Sequence, residues 1–288
     1  MYQCVANIFA VSQSKRQMKR FGVYLYGLAT IAAGILDLVW GDFDPSHQPI
    51  QAFGDHVPGR TLFAYITAIW MIAGGIAILW RHSARAGAAA LAVIYFIFAV
   101  FWLPRFYTAP LVLGFRIPIL IGVLGGFGSQ LMVSAAGALI WASLATRDST
   151  WSRTVHIARW IFGLCSVDFG LAHLTDIKDN IVYVPTWMPL GREFWVIATG
   201  ICFILAGLAI LSGTLDVLAP RLLALMLLVF SALTLVPAIF AFPHRHDVWG
   251  GNAYQLAAVA AVWTLAEANA RRDAKPEDTP ETTFAEVS

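Results

Sequence analysis

Apolar runs of bilayer length recur along the chain, separated by short polar, glycine-containing or proline-containing segments. A run of about 20 apolar residues forms a helix long enough to cross the hydrocarbon core of a membrane. Eight such runs occur, at residues 21–40, 60–80, 84–103, 126–146, 156–175, 193–212, 218–240 and 252–270. The pattern predicts eight transmembrane helices. Residues 111–126 are also apolar but are interrupted by Arg116 and Pro118, which predicts a re-entrant or interfacial segment before the fourth helix.

Composition narrows the class of protein. Of the 288 residues, 59% are apolar and 12% are charged, whereas a typical soluble domain has about 45–50% apolar and about 25% charged residues. The net charge of +2 and the absence of a basic cluster interleaved with aromatic residues argue against a nucleic-acid partner. We therefore expect an all-α, multi-pass integral membrane protein surrounded by lipid, in the plasma membrane if the source is bacterial.

Basic residues are unevenly distributed between the two predicted membrane faces. Thirteen of the 19 Lys and Arg residues lie in the termini and in one set of alternate loops, and the other six lie in the opposite set. The positive-inside rule then places both termini in the cytoplasm. Residues 1–19 form a basic cytoplasmic segment, and residues 271–288, which are acidic and rich in Pro and Thr, are expected to be a disordered cytoplasmic tail.

The two halves of the chain resemble each other. GLATIAAGILDL at 27–38 aligns with GLCSVDFGLAHL at 163–174, and residues 59–79 align with 191–211 with nine identities in 21 positions. GGFGSQLMVSAA at 125–136 likewise parallels GGNAYQLAAVAA at 250–261. The sequence predicts two four-helix units, at 20–146 and 156–270. Because four helices return the chain to its starting side, the two repeats would be parallel, related by an axis along the membrane normal.

The second unit resembles the DoxX family of small four-helix bacterial membrane proteins. The resemblance rests on GLAHL at 170–174 and on VPTWMPLGREFWVIATGICFILAGLAILSG at 184–213, and it is fainter over 20–146. DoxX-like proteins are membrane subunits or accessories associated with quinone-linked redox systems. The resemblance implies a four-helix fold, a quinone as a ligand and a redox protein as a partner. This chain departs from the family in carrying two units instead of one.

Asp168 is the clearest candidate for chemistry within the membrane. It lies about twelve residues, roughly 18 Å, into the fifth predicted span, where an ionisable side chain is expensive to bury. It can act as a proton-carrying or ligand-binding acid, or it can be a buried acid that is hydrogen-bonded by a neighbouring helix. His173 follows five residues later, about 140° away around the helix, so the two side chains are predicted to face different directions.

A second set of candidates gathers at the outward end of the second unit, where imidazole and amide groups can hydrogen-bond the carbonyls of a quinone. The ligand-binding candidates are Asp168, His173, Arg192, Glu193, His244, His246, Asn252 and Gln255, and their counterparts in the first unit are Asp37, Arg60 and Gln130. The alternative is a set of solvated loop charges and helix caps. No metal site is assigned, because HxHD at 244–247 is a weak motif when it lies in a loop.

Other polar residues receive no role. Asp42, Asp44, His47, Asp55 and His56 make the first external loop acidic, but their spacing matches no standard ion-binding loop. Cys165 and Cys202 are expected to be packing residues.

Three functions remain open from the sequence. The first is a DoxX-like subunit or accessory of a quinone-linked redox system that binds a hydrophobic ligand or a partner at its outward face, without an intrinsic cofactor. The second is a small-solute transporter with Asp168 in its path. The third is a structural scaffold without a ligand. No hydrolytic or nucleotide-binding motif occurs, so we do not expect an enzyme in its own right.

Overall fold

The structure, a computed structural model, describes residues 21–48, 58–145 and 149–273. All regular elements within these ranges are helical. The predicted basic segment at 1–19 and most of the predicted tail lie outside the described residues. The last helix continues to Asp273, so the first three residues of the segment assigned to the tail are helical.

Eleven α-helices are described, and we number them in chain order. They are α1 (Phe21–Trp40), α2 (Arg60–Leu79), α3 (Ala84–Trp102), α4 (Arg105–Leu113), α5 (Ile117–Ser143), α6 (Ser149–Thr175), α7 (Ile177–Asn180), α8 (Arg192–Ser212), α9 (Leu218–Phe230), α10 (Val236–Ala241) and α11 (His246–Asp273). A short 3₁₀ turn, Ile181–Tyr183, follows α7.

Seven helical segments among the described residues are long and apolar enough to cross a membrane. They correspond to the first seven predicted spans, so the prediction of a multi-pass helical membrane protein is confirmed at that level. The eighth, α11, is long enough, but Gln255, Glu267 and Asn269 lower its mean hydropathy. Its polar residues are tolerated because α11 is the helix most surrounded by protein, and Ala257 to Val262 are all buried.

The fourth span differs from its predicted boundaries. Helix α5 begins at Ile117, nine residues before the predicted start, with Pro118 in its first turn. Proline is favoured in the first turn of a helix because its missing N–H has no intrahelical acceptor there. The apolar segment at 111–126 is therefore divided between the end of the short helix α4, a break at Gly114, and the first turns of α5.

The spanning helices pack in a closed order around the molecule. Consecutive contacts run from α1 to α2, α3, α5, α6 and α8, then through α9 to α11, which packs against α1. Helices α5 and α11 also contact each other across the centre. The packing of α8 against α9 is much less extensive than that of α2 against α3. This difference leaves a gap in the second half of the ring.

Glycines allow the closest helix contacts. A Cβ atom on Gly34 would lie 2.7 Å from the carbonyl oxygen of Ala68 in α2, and a Cβ atom on Gly170 would lie 2.6 Å from that of Gly200 in α8. Any side chain at these positions would force the backbones apart. Such small-residue contacts are a common means of helix association in lipid, where hydrophobic burial provides little driving force.

The seventh span is interrupted by a π-helical turn, Ser231–Leu235, between α9 and α10. Pro237 has no backbone N–H and cannot donate an intrahelical hydrogen bond, which explains the local change of helix type. The side chain of Asn252 donates to the carbonyl oxygen of Leu235 at 2.9 Å, and the Thr234 hydroxyl donates to that of Tyr183 at 2.9 Å. These contacts hold the C-terminal end of the span over the gap between α8 and α9.

Candidate functional site

A chamber of about 160 Å³ lies inside the second half of the protein. Its walls come from α5, α6, α8, α9 and α11. Most of the lining is apolar, including Phe169, Phe203 and Met226, and polar groups are contributed by Ser129, Ser166, His173, Thr199, Tyr254 and Gln255. Two of the predicted site residues, His173 and Gln255, therefore meet at one cavity.

The orientation of His173 is determined by its own helix. Its Nδ1 lies 2.8 Å from the carbonyl oxygen of Phe169, one turn earlier in α6. A carbonyl oxygen can only accept, so Nδ1 carries the proton and Nε2 of the neutral imidazole is a hydrogen-bond acceptor. The ring also packs 5.2 Å from the ring of Phe203. His173 thus presents one acceptor from a fixed position at the chamber wall.

Tyr254 and Gln255 supply the polar groups of α11. The Tyr254 hydroxyl is buried beside the Ser129 side chain, but it makes no well-aligned hydrogen bond with the residues that the structure describes. A buried hydroxyl with such poor hydrogen bonding is costly, and it marks a position where a ligand or water atom would be stabilised. The Gln255 amide donates to the carbonyl oxygen of Leu227 at 3.3 Å, a long hydrogen bond. The sequence did not single out Tyr254, since a single tyrosine beside a glutamine has no distinctive spacing.

A groove on the surface of the protein lies next to the chamber. The groove has a volume of about 560 Å³ and lies between α8 and α9, beneath the segment that contains Tyr183. Thr199, Leu223, Met226 and Phe230 line both the groove and the chamber. These four side chains form the wall that the two cavities share, so the groove and the chamber are adjacent.

The first half of the protein fills the corresponding interior with its own chain. Residues 41–48, which we call the first loop, fold inward, and Phe43, Asp44 and His47 are buried. Gln130, the counterpart of Gln255, donates to the carbonyl oxygen of Ser46 at 3.0 Å, and Trp102 donates to the same oxygen at 2.9 Å.

The His47 ring completes this packing. It stacks on Phe98 with ring centroids 4.4 Å apart and contacts the edge of Tyr95. The first loop is thus packed against α3 and α5 in the interior of the protein.

Asp37, the counterpart of His173, is the centre of a buried polar network. Its carboxylate accepts the backbone N–H of Asp44 at 2.9 Å and lies 3.4 Å from Nδ1 of His47. Nε2 of His246, at the start of α11, lies 3.3 Å from Oδ1 of Asp37. The His246 ring stacks on Trp40 with ring centroids 4.9 Å apart. The network joins α1, the first loop and α11. None of its side chains lines the chamber, but the His47 ring packs 6.5 Å from the ring of Tyr254, which does. The structure therefore does not place Asp37 and His246 at the chamber with His173.

Electrostatics favour a protonated His47. Burial by itself lowers the pKa of this imidazole, but the hydrogen bond to Asp37 and the charges of Asp37 and Asp44 together raise it above its ordinary value. Burial has the opposite effect on an acid, and it raises the pKa of Asp44. The carboxylate of Asp44 lies against Gly250 of α11, where no side chain fits. The sequence missed these two residues because their roles depend on contacts with α1 and α11.

Asp168 lies on the opposite side of α6 from the chamber. It lines a third cavity, a groove of about 610 Å³ between α5 and α6 that also includes Cys165 and His156. The predicted divergence of Asp168 and His173 around the helix is therefore found in the structure. Cys202, in contrast, lines the groove between α8 and α9, so the two cysteines border different cavities.

The remaining candidates either form hydrogen bonds with nearby groups or lie away from the three cavities. Asn252 donates to the carbonyl oxygens of Leu235 and Val248, and Arg60 forms two hydrogen bonds with Asp42, at 2.6 and 2.9 Å. Arg192 is half-buried at the start of α8. Glu193 and His244 are exposed. These three line neither the chamber nor either groove. Asp55 and His56 lie outside the described residues.

The fold and cavities define a multi-pass α-helical membrane protein with an interior chamber beside a surface groove. Within the described ranges, no group of three or more His, Cys, Asp or Glu side chains is arranged to hold a metal ion. No protein-family model, curated protein or solved structure matches the chain.

Proposed function

We propose that the protein binds the head group of a lipid-soluble quinone in the chamber between α6, α8, α9 and α11. The observation that carries this proposal is that the partly polar chamber and the apolar surface groove lie side by side and share four lining residues. A quinone combines a ring that accepts hydrogen bonds with a long apolar tail. The chamber offers polar groups to the ring, and the groove offers an apolar path for the tail.

Size and chemistry support this ligand class. An apolar protein cavity of about 150 Å³ holds a benzene molecule, and the chamber measures about 160 Å³. The Tyr254 hydroxyl, which makes no well-aligned hydrogen bond with the described residues, can donate to a quinone carbonyl. Nε2 of His173 can accept a hydroxyl proton of the reduced quinol. The same pair of residues can therefore hydrogen-bond both oxidation states.

We also propose that the chain is a tandem of two DoxX-like four-helix units. The closed packing order supports this view, because the contact of α5 with α6 has its counterpart in the contact of α11 with α1. In this scheme the second unit binds the ligand. The first unit has its equivalent interior occupied by Phe43 and His47. A role as a subunit or accessory of a quinone-linked redox system follows from the same resemblance.

The other two functions have less support. Asp168 and His173 open onto different cavities, so the described residues do not form one path that passes both side chains. A scaffold without a ligand would gain stability by filling the chamber and by satisfying the Tyr254 hydroxyl.

The proposal is tested by titrating the purified protein in nanodiscs with a quinone that carries a short alkyl tail. We expect saturable binding. Tyr254→Phe removes one hydrogen bond, for which about 0.5–1.5 kcal/mol corresponds to a roughly 2- to 12-fold weaker affinity. Met226→Trp should fill the chamber and abolish binding. Absence of saturable binding by a monodisperse wild-type protein refutes the proposal.

Two variants serve as controls. Arg192→Gln changes a charge at the outward end without altering the chamber, and Asp168→Asn changes the groove on the other side of α6. Both should bind the quinone as the wild type does. Loss of binding in either control would show that the affinity does not come from the chamber.

A further inference from the structure

The groove between α5 and α6 contains a carboxylate without a protein partner. Asp168 is only 6% exposed, and its Oδ2 has no hydrogen-bond partner among the described residues. A Cβ atom on Gly125 would lie 3.0 Å from this oxygen, so the carboxylate packs closely against a bare stretch of α5. The geometry therefore leaves a buried anion-forming group facing a cavity.

The walls of this groove are almost entirely apolar. Leu124, Phe127 and Leu131 line it on α5, and Ile157, Leu164 and Leu171 line it on α6. It extends from His156 to Leu171, fifteen residues or roughly 22 Å along the helix. The volume of about 610 Å³ is within the range of small-molecule sites, which is about 300–1,000 Å³. A long apolar chain fits these walls.

The basic side chains of the two helices do not neutralise Asp168. On α6, Arg159 lies nine residues, roughly 13 Å, before Asp168, and its guanidinium donates to the carbonyl oxygen of Leu211. His173 faces the chamber on the other side of the helix, and His156 accepts a hydrogen bond from Trp160 at the far end of the groove. A buried carboxylate is stabilised by a cation that also donates hydrogen bonds.

We propose that this groove binds a single-chain lipophilic amine, with its ammonium group at Asp168 and its alkyl chain along α5 and α6. An ammonium supplies both the positive charge and the donors that the carboxylate lacks. A hydroxyl head group would supply a donor without the charge. The site is separate from the chamber and does not depend on quinone binding there.

The test uses a long-chain primary amine that carries a photoreactive diazirine on its alkyl chain, with the protein in nanodiscs. Crosslinked peptides are mapped by mass spectrometry. We expect labelling within 124–131 and 156–171 that is competed by unlabelled amine. The corresponding long-chain alcohol should not compete at equal concentration. In Asp168→Asn the competed labelling should fall at least tenfold, because Asp168 supplies the only carboxylate among the described residues that line the groove.

Two further variants keep the result interpretable. Leu131→Trp fills the groove and leaves Asp168 in place, so it should also abolish the labelling. Asp176→Asn removes an acidic group just beyond the end of the same helix and should leave the labelling unchanged. All variants are compared by size-exclusion profile and by quinone binding at the chamber. Labelling that is equal in wild type and Asp168→Asn, or equal competition by the alcohol, overturns the proposal.

Discussion

The Asp37 network provides the sharpest test of how the first half is held together. The carboxylate is fully buried and contacts the backbone N–H of Asp44, Nδ1 of His47 and Nε2 of His246. Asp37→Ala would leave the amide without an acceptor, which costs about 1–3 kcal/mol. It would also break a buried charged pair, which costs about 3–5 kcal/mol. Because these losses share one carboxylate, we expect a total near 4 kcal/mol instead of their sum.

The assay is thermal unfolding in detergent at pH 6, followed by fluorescence-detected size exclusion. A loss of about 4 kcal/mol corresponds to a Tm lower by about 7 °C for a chain of this size. Asp37→Asn keeps an oxygen that can accept the Asp44 N–H but loses the charge, so we expect about half of that effect. Asp42→Asn is the matched control from the same loop. Its side chain is 44% exposed in its pair with Arg60, and such pairs contribute less than about 1 kcal/mol.

Equal changes in Tm for Asp37→Asn and Asp42→Asn would refute the reasoning, because the buried and the exposed carboxylate would then contribute alike. A change below about 2 °C for Asp37→Ala would do so as well. Either result would mean that the first loop is held by apolar packing alone.

Three further predictions concern pH, helix packing and helix propensity. The pKa of His47 is raised in the folded protein. Its protonated form therefore contributes fully to stability below the pKa of the unfolded chain, about 6.5. This contribution is lost as the pH rises through the pKa of the folded protein. The Tm of the wild type should therefore decline between pH 6 and pH 9, and His47→Gln should show a flatter profile; an identical slope would contradict the assignment. Gly170→Val places a side chain against the backbone of α8 and should prevent recovery of a monodisperse protein. Gly251 lies at a helical position with open space around it. Gly251→Ala should therefore preserve the free energy of unfolding or raise it by up to about 1 kcal/mol through helix propensity, which the same thermal assay measures.

The sequence alone was sufficient to determine the class of protein and most of the helices. Seven apolar runs coincide with membrane-capable helices because hydropathy sums local transfer free energies over neighbouring residues. The separation of Asp168 from His173 was also predictable, since it depends only on the pitch of one helix. The start of α5 at Ile117 was not, because Arg116 and Pro118 interrupt the apolar pattern although proline is well tolerated in a first helical turn.

Which polar residues contact one another depends on the tertiary packing. His47 and Asp44 looked like solvated loop residues, yet they are buried by contacts with Asp37 and with α11, some 200 residues away in the chain. Tyr254 lines the chamber because α11 packs between both halves of the protein. His173 borders the same chamber because α8 and α9 diverge. These outcomes depend on free energies of contact between distant segments. No local pattern of hydrophobic and polar residues encodes such contacts.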